Sequence, residues 1–129
     1  MKVLLDSHCL LWALDNSEQL GAAASATLQD VDCQLLISVA SVWEIAIKVS
    51  AGRLPLSLPY REWMDRAIAE LDLQILPITL DHAEQQASLP FHHRDPFDRL
   101  LAAQALVEEL PLVSCDEILD AYGVQRIWN

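Results

Sequence analysis

The stretch Asp95-Pro96-Phe97-Asp98-Arg99-Leu100-Leu101-Ala102-Ala103-Gln104-Ala105 decides how this chain is read. A loop ends in two carboxylates and runs into a helix that is apolar on nearly every face. Proline suits the first helical position, where its missing N–H costs nothing. Pro96 therefore puts Asp95 at the N-cap and Asp98 in the first turn. Two acids at the positive end of a buried helix make either a strong cap or half of a metal site. Asp6, Glu44 and Asp116 sit at other strand-to-helix junctions and supply the second half.

Outward from that helix, strands and helices alternate. Short apolar runs at Lys2–Leu5, Gln34–Ser38, Leu73–Leu76, Leu112–Ser114 and Val124–Ile127 read as strands. Helices are expected from Ser7 to about Leu14, then over Gly21–Asp30, Ser38–Ala51 (stopped by Gly52) and Tyr60–Leu71. Thr79–Ser88, Pro96–Glu109 and a short Asp116–Tyr122 complete the set, with loops over Arg53–Pro59 and Leu89–Arg94. Continuous apolar strands separated by helices indicate a parallel sheet covered on both faces, an α/β fold. No repeat, linker or low-complexity segment divides the chain, so one domain over residues 1–129 is expected.

Composition narrows the class. The chain of 129 residues is 53% hydrophobic, with a mean hydropathy of +0.22. Its longest apolar runs, Cys9–Leu14 and Leu100–Ala103, fall far short of the roughly 20 residues of a membrane span. Asp6 interrupts the first apolar run, so no signal segment is read and a cytoplasmic location is expected. The surplus of apolar surface points to a dimer or a partner groove. Cys9, Cys33 and Cys115 are odd in number and lack metal-ligand spacing, which suits reduced core thiols. A zinc site built from His92, His93 and a cysteine has no such spacing behind it. The net charge of −11 argues against nucleic-acid binding by a broad basic face. Lys48, Arg94 and Arg99 lie close to the candidate acids, where they meet either phosphates or local ion-pair partners.

Ligands in such sheets bind outside the carboxyl ends of the strands. Asp6 follows the first strand, Glu44 opens the helix after the second, and Asp116 follows the fourth. Asp98 reaches the same edge if its helix begins there. Each acid alone reads as a cap, and Ser41-Val42-Trp43-Glu44 matches a capping box. Taken together the caps are costly. Two like charges about 4 Å apart repel by roughly 4 kcal/mol at an effective dielectric of 20, while a cap stabilises by roughly 0.5–2 kcal/mol. A cation among the carboxylates removes that conflict, and an oxygen-only donor set suits Mg²⁺ or Mn²⁺. The helix N-termini are expected to keep the acids ionised. Glu44 shares a polar stripe with Ser41 and Lys48, which faces either solvent or the acidic pocket.

Four segments then resemble PIN-domain proteins, and within them the VapC-like toxins of toxin–antitoxin pairs. They are Leu4–Trp12 (LLDSHCLLW), Ser38–Lys48 (SVASVWEIAIK), Leu89–Ala105 (LPFHHRDPFDRLLAAQA) and Leu112–Asp116 (LVSCD). The resemblance implies a three-layer PIN-like fold with a central parallel five-stranded sheet. It also implies an acidic Mg²⁺ or Mn²⁺ site and endonucleolytic hydrolysis of RNA, leaving a 5′-phosphate and a 3′-hydroxyl. Carried over by position, Asp6, Glu44, Asp98 and Asp116 are the catalytic and metal-holding acids, with Asp95 and Ser114 auxiliary. The implied partners are an RNA substrate, a small antitoxin protein and a second copy of the chain in a homodimer.

Rival folds with acidic Mg²⁺ pockets fit less well. A receiver domain needs an aspartate ending its third strand and a late lysine, yet no lysine follows Lys48. A haloacid-dehalogenase-type phosphatase wants a second aspartate where His8 stands. The alternative that survives is a non-catalytic PIN-fold interaction module.

Overall fold

In the computed structural model, which describes residues Met1–Asn129, five parallel strands form one sheet in the order β3-β2-β1-β4-β5. They are β1 (Lys2–Leu5), β2 (Gln34–Ser38), β3 (Gln74–Leu76), β4 (Leu112–Val113) and β5 (Arg126–Ile127). Central β1 pairs β2 with Leu5 opposite Ile37, and pairs β4 with Leu5 opposite Val113. The α-helices are α1 (Ser7–Asp15), α2 (Ala22–Gln29), α3 (Val39–Ser50), α4 (Tyr60–Leu71), α5 (Leu80–Ser88) and α6 (Pro96–Glu108). Two 3₁₀ helices add Ser17–Gln19, which the sequence reading lacks, and Glu117–Tyr122, expected there as a short helix.

Strand side chains alternate between the two faces, and this sheet uses both. Val3, Leu5, Leu35, Ile37 and Val113 enter one core with Cys9, Leu10, Ile45 and Trp63. Leu4, Leu36 and Leu112 enter the other with Leu101, Ala102, Ala103 and Ala105 of α6. That partition makes the three layers and explains the absence of polar alternation in the strands. The small residues of α6 let it lie close against the sheet. On the first face, Gly21 has no room for a side chain: an added Cβ would fall 2.2 Å from the Trp128 carbonyl oxygen. That oxygen accepts the Ala24 amide and ties α2 to the final segment.

The chain builds outward from β1 to β2 and β3, then returns to place β4 and β5 on the other side of β1. The strand order therefore reverses between β1 and β4, where a crevice forms at the carboxyl edge. Observed elements run one or two residues shorter than read at several ends, because the sheet's hydrogen bonds stop before its apolar patterning does. No helix is long and apolar enough to cross a membrane.

Candidate functional site

Asp6 and Asp116 leave β1 and β4 at that crevice, and each also caps the turn after it. The Asp6 carboxylate accepts the Cys9 amide at 2.7 Å, and Asp116 Oδ1 accepts the Ile118 amide at 3.0 Å. Asp95 caps α6, accepting the amides of Phe97 and Asp98. Capping and convergence are thus compatible. The backbone bonds fix the direction of each carboxylate, and Asp116 turns Oδ2 toward His93 at the crevice. Ser114, near enough to oppose the rise in the Asp6 pKa, accepts the Asp116 amide on its hydroxyl at 3.1 Å.

Glu44 does not belong to a capping box. Ser38 caps α3 through the Ala40 amide, and Ser41 lies inside the helix, buried and with its hydroxyl unpartnered. Glu44 is 5% exposed. Its two oxygens are taken by Ser7 Oγ at 2.6 Å and Lys48 Nζ at 2.8 Å. The polar stripe of α3 therefore faces the pocket.

The donor atoms that lie within 4.8 Å of one another belong to His93, Asp98 and Asp116. His93 Nε2 sits 2.7 Å from Asp116 Oδ2 and 3.2 Å from Asp98 Oδ2. Asp6 and Glu44 lie outside that trio, but both are near enough for their charges to act on Asp98. His93 is a site residue that the sequence pattern does not single out beyond the zinc possibility. Its signal was position: it stands two residues before the Asp95 cap, on the loop entering α6. No cysteine joins it, and His92 instead packs its ring on Tyr122 at 5.2 Å. The Asp95 amide donates to His93 Nδ1 at 3.1 Å. Nδ1 is then the acceptor, and Nε2 carries the proton that bridges the two carboxylates.

At two of the acids burial works against the helix end. Burial, then the Asp95 charge, with Glu44 and Asp6 adding and His93 opposing, raises the Asp98 pKa to about 7. Burial raises Asp6 as well, against Ser114 and the Cys9 amide. Desolvation and like charge outweigh a helix-end interaction of roughly 0.3–1 kcal/mol.

Arg99 does not face the pocket. It is 5% exposed, and its guanidinium donates to the carbonyls of Pro90 at 2.8 Å and Gln86 at 3.1 Å. It also lies 4.1 Å from the Phe91 ring centre. Its role is to pin the loop that carries His93.

A parallel sheet with acids gathered at its switch point defines a class, and the sequence places the chain in it. The PIN domain family matches residues 3–125, and the chain belongs to that family. No curated protein sequence matches it. Among solved structures it is similar to VapBC2 from Rickettsia felis bound to a promoter DNA fragment. There the identity is 16%, the TM-score 0.74 and the coverage 100% of each chain. It is also similar to FitAcB from Neisseria gonorrhoeae, at 20% identity and TM-score 0.68, covering 98% of this chain and 96% of that one. VapBC-5 of Mycobacterium tuberculosis, a member of the VapBC toxin–antitoxin family, matches at 20% identity and TM-score 0.60, covering 97% and 94%.

Proposed function

We propose that this chain, one PIN domain over residues 1–129, is the toxin of a toxin–antitoxin pair and a metal-dependent endoribonuclease. The observation that carries the reading is the meeting of Asp98 and Asp116 under a shared histidine, beside the buried carboxylates of Asp6 and Glu44. Family membership and the toxin–antitoxin complexes among its structural neighbours support it.

The donor set fits a hard divalent cation. It is dominated by carboxylate oxygens, and the proton on His93 Nε2 leaves the carboxylates as the ligands. Burial is the main cause of the rise at Asp98, and the neighbouring carboxylates add to it; a cation offsets that like-charge part. Asp6, Glu44, Asp98 and Asp116 would hold Mg²⁺ or Mn²⁺. With such a cation held by these acids, a bound water would have a lowered pKa and charge on the scissile phosphate would be offset.

The remaining work belongs to the chain. Asp6 and Asp116 keep their directions through their capping bonds, and Ser114 accepts the Asp116 amide. Ser7 and Lys48 fix both oxygens of Glu44. His93 holds Asp98 and Asp116 together, with Asp95 setting its tautomer. No side chain need form a covalent bond with RNA.

Mn²⁺ binding to the metal-stripped protein, followed by calorimetry, tests the site without a guess at the RNA sequence. Asp98→Asn and Asp6→Asn are expected to weaken it at least about tenfold while both variants stay folded. A wild type that binds no Mn²⁺ would return the acids to their capping roles and leave a docking module as the better reading. An antitoxin partner is proposed to enter the same edge, so a co-purified partner should suppress cleavage. Undiminished activity in the complex would refute that part.

A further inference from the structure

Beside the acids, between α1, α3 and the loop after α3, lies a cavity of about 320 Å³ whose lining includes His8, Trp12, Asp15, Lys48 and Arg53. We propose that this cleft is a nucleotide subsite for single-stranded RNA, binding a phosphate through Arg53, Lys48 and His8 and a base against Trp12. The proposal rests on the nuclease reading and extends it to how the strand is held.

The cleft adjoins the acidic site. Lys48, on its wall, lies 2.8 Å from Glu44. His8 follows Ser7, whose hydroxyl holds the other oxygen of Glu44. A strand whose scissile phosphate lies over the acids would therefore pass its neighbouring nucleotide along this wall.

Its charge is unlike that of the surrounding surface. The chain has 8 lysines and arginines against 19 acids, and most of those cations are already engaged. Arg61, Arg66 and Arg126 pair with acids near them in sequence, and Arg99 is buried against carbonyls. Arg53 is exposed and makes no ion pair, and His8 beside it is exposed too. Asp15, the one acid in the lining, is occupied: it accepts the Ser57 amide, the Ser57 hydroxyl and the Trp63 indole N–H. Arg53 is the unpaired cation of the lining, and Lys48 stands beside it in its ion pair with Glu44.

Trp12 supplies the aromatic element. Its ring is held by tilted contacts with His8 at 5.6 Å and Trp128 at 5.8 Å, while its side chain stays half-buried. A fixed aromatic beside a cationic wall is how proteins bind single strands with little sequence preference. The volume is at the small end of the roughly 300–1,000 Å³ of small-molecule sites, which suits one nucleotide. A protein segment bearing a basic residue toward the acids would meet Lys48 and Arg53 at like charge, so this wall favours a phosphate.

The test uses a fluorescein-labelled pool of 2′-O-methyl octanucleotides with Mn²⁺ present, read by anisotropy from low to high salt. Arg53→Gln touches no structural contact and should fold as the wild type. It is expected to weaken binding about 3–10-fold and to flatten the salt dependence by roughly 0.7 in log–log slope, the share of one phosphate on a single strand. In the wild type the oligonucleotide should quench indole fluorescence, and Trp12→Phe should abolish most of that quench. An Arg53→Gln protein equal to the wild type in affinity and slope overturns the subsite. So does a wild type that binds Mn²⁺ but not the oligonucleotide, or one in which Arg53→Gln weakens only a co-purified protein partner. Loss of Mn²⁺ binding in the wild type would instead overturn the nuclease reading on which the subsite rests.

Discussion

Asp98 holds the sharpest electrostatic conflict in the molecule. Its sequence position in the first turn of a helix predicts a comfortable anion, yet its pKa stands at about 7 against an ordinary 3.8. Burial is the main cause and the Asp95 carboxylate the next. Between those two values the folded state holds a proton that the unfolded state has released, so metal-free stability falls as pH rises from about 4 to about 7. Thermal melts of the EDTA-treated protein should show this decline, and Asp98→Asn should flatten it. A melting temperature that rises over the same window in the wild type would contradict the placement of Asp98. At this scale the sequence marked these acids as a group, because converging carboxylates repel by more than their caps return. Their protonation was not legible, since it depends on how closely Asp6, Glu44 and Asp95 approach through space.

Among the elements, the segment from Leu89 to Asp95 is the one whose role changed between sequence and structure. Read as a loop, it is a loop, but it is fastened from below by Arg99 of α6. That guanidinium bonds the Pro90 and Gln86 carbonyls, and the Tyr122 hydroxyl accepts both Arg99 Nη1 and the His93 amide. Arg99→Met keeps the volume but removes the charged donor to the part-buried Pro90 and Gln86 carbonyls, at a cost of about 1–3 kcal/mol. Urea denaturation should show that loss. Because the loop carries His93, Mn²⁺ affinity should fall with it, and an Mn²⁺ affinity equal to the wild type would detach His93 from the Arg99 anchor. The sequence placed Arg99 near the acids, where a phosphate contact and a structural bond look alike. Only the packing of α6 under the loop separates them. The capping box at Ser41 fails because the helix already starts at Ser38, whose hydroxyl takes the cap and leaves Ser41 inside the first turn.

At the scale of the whole molecule, α3 leaves an apolar stripe uncovered, with Val39, Trp43 and Ile47 exposed by 38%, 62% and 41%. These positions recur every four residues and so share one helix face. The proposed homodimer would cover them. Sedimentation of the wild type should give a dimer and Trp43→Lys a monomer, while a wild type that is monomeric at high concentration would place the apolar excess elsewhere. Local pattern alone was enough to establish the alternation of strands and helices and the two-faced burial of the sheet, and the family came from the resemblance of four segments. Hydrophobic periodicity, caps and helix breakers act within a few residues of each other. The strand order, with its reversal between β1 and β4, came from tertiary structure, as did the pairing of His93 with Asp98 and Asp116 and the cationic cleft beside them. These join residues far apart in the chain, and which groups meet there is decided by how helices pack on the sheet, a choice that no short window of sequence encodes.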